Sequence, residues 1–237
     1  MLAKFVEKIA EMRKTETFNI NGDTYSTDNL HRIAPHVDRP DTFTVSGLDS
    51  ICKLIREEHD NYDCPMIVSV DDYRSVSVHT ALLHDLSRDK LYRAVADVPG
   101  FREGYYGAEE MIIKLRSLFH PSDDVNYLLD ILGRIDIENG VTTTDNGVSQ
   151  TVTAKQGVSL KENVMLRPRV ELKPFRTFLE VAQPESEFIL RVNDKGNIGL
   201  FEADGGVWKL EAKRNIAAYF EKELADFISD KKVIVMY

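Results

Sequence analysis

Met66-Ile67-Val68-Ser69-Val70-Asp71-Asp72-Tyr73-Arg74-Ser75-Val76-Ser77-Val78-His79-Thr80-Ala81-Leu82 is the stretch on which the fold turns. Met66 to Val70 reads as a strand and Asp71-Asp72 as a reversal. Ser75 to Leu82 alternates, with Val76, Val78 and Thr80 on one side, the period of two that marks a half-buried strand. Leu91 to Val98 sets Leu91, Arg93, Val95 and Asp97 against Tyr92, Ala94, Ala96 and Val98 and reads as a third strand. The connections are too short for crossover helices, so the pattern predicts an antiparallel meander.

Toward the N-terminus, Phe43 to Val45 reads as a short strand, and Ser46-Gly47-Leu48-Asp49 has the spacing of a capping box. The helix it opens places Leu48, Ile51, Cys52 and Ile55 inside and ends near His59. Asn29 to Asp41 shows no period and reads as a loop. Asn21-Gly22, between Thr15–Ile20 and Asp23–Thr27, is a hairpin signal, because both residues tolerate positive φ. Leu2, Phe5, Val6, Ile9 and Met12 form one apolar helical face.

Toward the C-terminus, Ala108 to Phe119 carries Met111, Ile112, Leu115 and Leu118 on its inner face. After the break at His120-Pro121, Ser122 is an N-cap for a second helix holding Val125, Leu128, Leu129, Leu132 and Ile135. Asp145-Asn146-Gly147 and the run Asn193 to Asn197 each mark a hairpin. Val164 to Leu172 reads as one edge strand on account of its proline, Pro168. Val207 to Ala212 reads as a short strand after a tight Gly205-Gly206 connection, Asn215 to Ile228 as a helix burying Ile216, Phe220, Leu224 and Phe227, and Val233 to Tyr237 as a closing strand. The expectation is an α+β fold: antiparallel sheets with helices packed on one side, and a β-rich C-terminal half with a terminal helix and strand. A mixed part, 1–136, meets a β-rich part, 137–237, with no linker between them, so one continuous domain fits equally well.

The chain has 237 residues, 43% hydrophobic and 29% charged, a globular balance with enough length for a sizeable core. Its 39 acidic residues against 30 basic give a net charge of −9, which opposes bulk nucleic-acid binding through phosphates. Two cysteines are too few for a disulfide scaffold. The absence of a long apolar run argues against a membrane span, and a cytoplasmic location is expected.

No common catalytic constellation stands out, and neither a cofactor nor a metal is expected. The six histidines, His31, His36, His59, His79, His84 and His120, are scattered without ligand spacing. Cys52 faces inward on its helix, and Cys64 sits among acids that blunt a thiol. Phosphate loops and a GxSxG elbow are absent. The triplets Glu171-Leu172-Lys173 and Glu211-Ala212-Lys213, near Asp194 or Asp204, leave open a Mg²⁺-dependent nuclease or phosphodiesterase using Glu202 or Asp204 with Glu211 and Lys213. Arg167, Arg169 and Lys173 alternate as a basic row and leave open single-stranded DNA binding in phage recombination or replication.

The most distinctive segment is Pro174 to Ser186, with aromatic anchors Phe175 and Phe178 among Arg176, Thr177, Glu180 and Glu185. With it goes Phe201-Glu202-Ala203-Asp204-Gly205-Gly206-Val207-Trp208, which holds the single tryptophan. Arg176 can pair with Glu202 or Asp204. The plain reading is a long ordered loop pinned to the sheet by its two phenylalanines and an ion pair. The functional reading is a binding surface made of Phe175, Arg176, Thr177, Phe178, Glu180, Glu202, Asp204, Gly205, Gly206 and Trp208.

Three motifs, Asp145 to Gln150, Pro174-Phe175-Arg176-Thr177-Phe178 with Gln183-Pro184-Glu185-Ser186, and Glu202 to Trp208, occur in order and resemble the YfdQ-like family of phage and prophage proteins. The resemblance covers Asn139 to Ile228 and carries over no catalytic residue. It implies a phage-derived protein of the host cytoplasm. The expected role is non-catalytic binding of a host or phage protein or of a small ligand. The apolar tail 233–237 either fills a place in its own sheet or pairs with a second copy in a homodimer.

Overall fold

A computed structural model describes residues 2–12, 15–27, 32–33, 39–134, 142–145, 150–156 and 160–237. The chain divides into two compact units, Met1–Pro40 and Asp41–Tyr237.

In the first unit, helix α1 (Leu2–Met12) leaves Leu2, Phe5 and Val6 exposed. Strands β1 (Thr17–Ile20) and β2 (Asp23–Ser26) pair antiparallel across Asn21-Gly22, whose φ values of 54° and 87° match the right-handed strand twist. Strand β3 (Arg32–Ile33) adds to β2, so the segment expected to be loop contributes one short strand; the rest of that expectation falls largely outside the described residues.

In the second unit, strands β4 (Phe43–Val45), β5 (Met66–Asp72), β6 (Ser75–Thr80) and β7 (Lys90–Val95) form a five-stranded sheet with β15 (Val233–Met236), in the order β15-β5-β6-β7-β4. The meander β5-β6-β7 is antiparallel as expected. Its two edges are not: β4 runs parallel to β7 and β15 parallel to β5. The parallel edge at β4 arises because helix α2 (Leu48–Glu58) carries the chain from that strand across the sheet to β5, a crossover that local spacing does not register. Met66, Val68, Val70, Val76 and Val78 pack in one core with Leu48, Ile51, Cys52 and Ile55 of α2 and with Ile216, Ala217 and Phe220 of helix α5 (Trp208–Glu223). The short helix α6 (Ala225–Ser229) leads from α5 into β15.

A second core joins helices α3 (Ala108–Leu118) and α4 (Asp123–Arg134) to a four-stranded antiparallel sheet. That sheet is ordered β12 (Arg169–Leu172), β13 (Ser186–Val192), β14 (Ile198–Glu202), β8 (Gly104–Tyr106). Met111 and Leu115 of α3 and Leu128 of α4 bury against Leu172, Phe188 and Leu200. Ser122 accepts the Val125 amide at 3.2 Å, the cap expected from sequence. A third sheet orders β11 (Leu160–Met165), β10 (Gln150–Gln156) and β9 (Thr142–Asp145), all antiparallel, its Asn146-Gly147 turn lying outside the described residues.

Two readings are corrected. Val164–Leu172 is not one strand: the chain leaves β11 at Met165 and re-enters a different sheet at Arg169, with Pro168, which has no amide to donate, in the break. Val207–Ala212 is not a strand: from Trp208 it is the first part of α5. The reason lies upstream. Gly205 and Gly206 adopt φ of 65° and 83°, and the Asp204 carboxylate accepts the Gly206 and Trp208 amides, so the turn feeds a helix rather than a hairpin. Because β8 pairs with β14 and β15 with β5, strands from both sides of residue 136 share sheets, and the compact unit 41–237 runs through that position.

Candidate functional site

Strand β14 ends at Glu202, and the Asp204–Gly206 turn brings Trp208 to the start of α5. The loop 174–186 passes alongside and delivers Arg176 between them. Its guanidinium donates from Nη1 to Glu202 Oε1 at 2.7 Å and from Nη2 to the Pro184 carbonyl at 3.2 Å and to Ser186 Oγ. It also lies 3.8 Å from the Trp208 ring centroid, a cation–π contact. Trp208 Nε1 donates to the other Glu202 oxygen at 3.0 Å, so one carboxylate joins guanidinium and indole. The Tyr73 ring packs edge-on against Trp208, centroids 4.7 Å apart. Ser186 passes the network on by donating to Asp204 at 2.8 Å.

Two ionisable groups in this network are shifted. Burial pulls the Arg176 guanidinium down to about 10, against the opposing pull of Glu202 and Asp204, so it stays charged at neutral pH. Burial by itself raises the Asp204 carboxyl, but the bonds from Gly206, Ser186 and Trp208 and the field of Arg176 outweigh it and hold the group below the usual carboxylate range.

The loop is fastened along its whole length. Gln183 Oε1 accepts the amides of Arg176 and Thr177 at 2.9 and 3.1 Å, and its Nε2 donates to the Phe178 carbonyl at 2.9 Å. Thr177 Oγ1 donates to the Tyr73 carbonyl at 2.6 Å, and Asn215 on α5 donates to the Ala182 carbonyl at 3.0 Å. Phe178 is buried in the first core, whereas Phe175 packs against His120 with the rings tilted by 41° and centroids 4.3 Å apart. Both aromatics and the ion pair pin the loop, as the plain reading of the sequence has it.

The proposed binding residues therefore separate. Arg176, Glu202, Asp204, Gly205, Gly206 and Trp208 meet in one place. Thr177 and Phe178 are sealed inside, and Phe175 faces a different concavity with Lys173, Leu179 and Gln183. Glu180 acts elsewhere: its Oε1 accepts the Leu48 amide at 2.8 Å and caps α2. That overturns the expected capping box, since Gly47 occupies the N-cap position and no local side chain caps the helix. Gln183 and Ser186 lie in the quoted motif but outside the expected site, their polarity being ordinary for a loop.

A cleft of about 340 Å³ opens over this wall. Its lining combines Arg176, Trp208 and Glu202 with Tyr73, Arg74, Phe101 and Arg102, among others. Arg74 donates from Nη2 to the Val98 carbonyl, while its Nε and that of Arg176 are buried without an acceptor. Tyr73, Arg74 and Arg102 come from the β5–β6 turn and from the stretch before β8, more than 70 residues upstream of Pro174, and nothing local in the sequence couples them to Trp208.

The other chemistries weighed from sequence find little geometry. Among the described residues no group of three or more histidine, cysteine, aspartate or glutamate side chains is gathered to hold a metal ion. Glu202 and Asp204 are already engaged by Arg176, Trp208, Ser186 and Gly206. The basic row is paired with acids: Arg167 with Asp124 at 3.1 Å, Arg169 with Glu187 at 2.6 Å and Lys173 with Glu185 at 3.6 Å. Ser77 donates to Asp71 at 2.7 and 2.9 Å and lies 3.1 Å from His79 Nε2, but the carboxylate holds the hydroxyl rather than orienting the imidazole, the reverse of a nucleophile triad. Among the described residues no helix is long and apolar enough to cross a membrane. No family model, curated protein or solved structure matches the chain.

Proposed function

We propose that this chain is a phage- or prophage-encoded binding protein of the host cytoplasm, which holds a partner protein or a small ligand in the cleft walled by Arg176 and Trp208 and performs no chemistry of its own. The observation that carries the reading is Arg176, only 6% exposed, its guanidinium fixed by Glu202, Ser186 and Pro184, yet part of the lining of an open cleft. A wall held this firmly loses little conformational entropy when something docks on it. Glu202 and Asp204, the carboxylates that a Mg²⁺-dependent hydrolysis needs, are committed to building the wall, which favours binding over turnover. Phage origin rests on the motif resemblance across 139–228. A homodimer fits the position of β15 at a sheet edge, where a second copy can add a strand.

The test compares the wild-type chain with Arg176→Met/Glu202→Gln, a pair that removes both charges and keeps volume. Each is passed through host-cell extract and the retained proteins and small molecules are identified by mass spectrometry. A species held by the wild type and lost from the folded double variant is the expected result. Equal retention by both overturns the assignment.

A further inference from the structure

Resting on that binding reading, we infer that the cleft receives the phosphate monoester of a small molecule that also carries a flat ring, with Arg74 and Arg102 as the phosphate-holding residues. Three of the four charged side chains lining the cleft are arginines, in a chain whose net charge is −9. The fourth, Glu202, has both oxygens occupied, one by Arg176 and one by Trp208. Its charge offsets that of Arg176, which leaves two positive charges uncompensated on the lining.

Neither guanidinium is bonded to an acid, although the Asp72 carboxylate accepts the Arg74 main-chain amide at 2.6 Å. Arg74 gives one bond to a neutral carbonyl, that of Val98, and its Nε has no acceptor. The Arg102 guanidinium is exposed, and among the described residues it has neither a hydrogen-bond nor an ion-pair partner. Glu103, the nearest acid in sequence, turns its Oε1 to the Glu202 amide at 2.7 Å. By contrast, the basic side chains on and beside β12 carry acid partners: Arg167 with Asp124, Arg169 with Glu187 and Lys173 with Glu185.

Two arginines lining one cavity suit a dianion with more than two acceptor oxygens, because forked guanidinium donors match phosphate and carboxylate oxygens in pairs. Two charges match the dianionic monoester more closely than a single carboxylate. The remaining lining includes the flat or apolar side chains of Tyr73, Phe101, Val98, Pro174 and Trp208, which suits a ring rather than a sugar alone. At about 340 Å³ the cavity lies near the lower end of the roughly 300–1,000 Å³ common for small-ligand sites.

Calorimetric titration of the full chain with phenyl phosphate and with adenosine monophosphate tests this, with inorganic phosphate and benzoate as comparisons. Both esters, or one of them, are expected to bind saturably and more tightly than inorganic phosphate or benzoate. The tighter ester identifies an aryl phosphate or a nucleotide as the source. Arg102→Ala, at an exposed position that leaves the core intact, is expected to weaken binding about tenfold, as is Arg74→Gln. Absence of saturable ester binding, affinity unchanged in both variants, or benzoate bound as tightly as the esters overturns the inference. If the esters fail while retention that depends on Arg176 and Glu202 persists in host extract, the phosphate assignment falls and the binding-protein reading stands.

Discussion

At the scale of single residues, the molecule concentrates its polar investment in Arg176. Removing its side chain leaves the Glu202 carboxylate with only the indole donor and opens a gap beside Trp208. Arg176→Ala is therefore expected to cost about 3 kcal/mol, read as a lowered urea midpoint at unchanged slope. Asp204 supplies a pH signature. Its folded-state pKa lies below the unfolded value near 3.9, so its contribution is complete above about pH 4 and is lost as the pH falls through the folded value. Asp204→Asn should be less stable than wild type at pH 7, and the gap should close below pH 4 in urea titrations across that range. The two cysteines also part company. Burial pushes the Cys52 thiol up to about 12, while Cys64 is half-buried at the start of the β5 approach. A thiol reagent at pH 8 should titrate one cysteine in the native chain and two in guanidinium.

At the scale of elements, the start of α2 depends on a residue 132 positions away. Glu180→Ala removes an N-terminal acceptor and should cost about 1 kcal/mol in thermal unfolding, with Glu180→Gln recovering part of it. A Cβ at Gly47 would stand 2.7 Å from Glu180 Oε1, so Gly47→Ala should displace the cap and add little further loss in the Glu180→Ala background. The same helix shows where sequence reading stops. Its inner face, Leu48, Ile51, Cys52 and Ile55, is legible because period 3.6 is a local property, and so is the Ser122 cap. The Glu180 cap is not, because a carboxylate in a loop gives no sign of which amide it will meet. The helical start at Trp208 is hidden for a related reason: Val207 to Ala212 is too short for its period to decide, and the deciding contacts are those of Asp204 with the turn before it. The candidate site was half legible. Arg176, Glu202, Asp204 and Trp208 declared themselves by composition and nearness in sequence, whereas Arg74 and Arg102 reach the cleft only through the packing of distant turns.

At the scale of the whole chain, the sheets of unit 41–237 are woven from both of its ends. A fragment 137–237 would hold β14 without β8 and β15 without β5, leaving two strand edges bare. It should give no cooperative melt by circular dichroism, whereas 41–237 should melt in one transition.

The parallel pairing of β15 with β5 also bears on when the protein becomes itself. Residues 233–236 are translated more than 160 positions after the strand they lie beside, so during synthesis Met66 to Ser69 wait with a naked flank while the rest of the unit emerges from the ribosome. Closure of the first core waits on those few residues, and a stalled nascent chain lacking them would present that flank to chaperones.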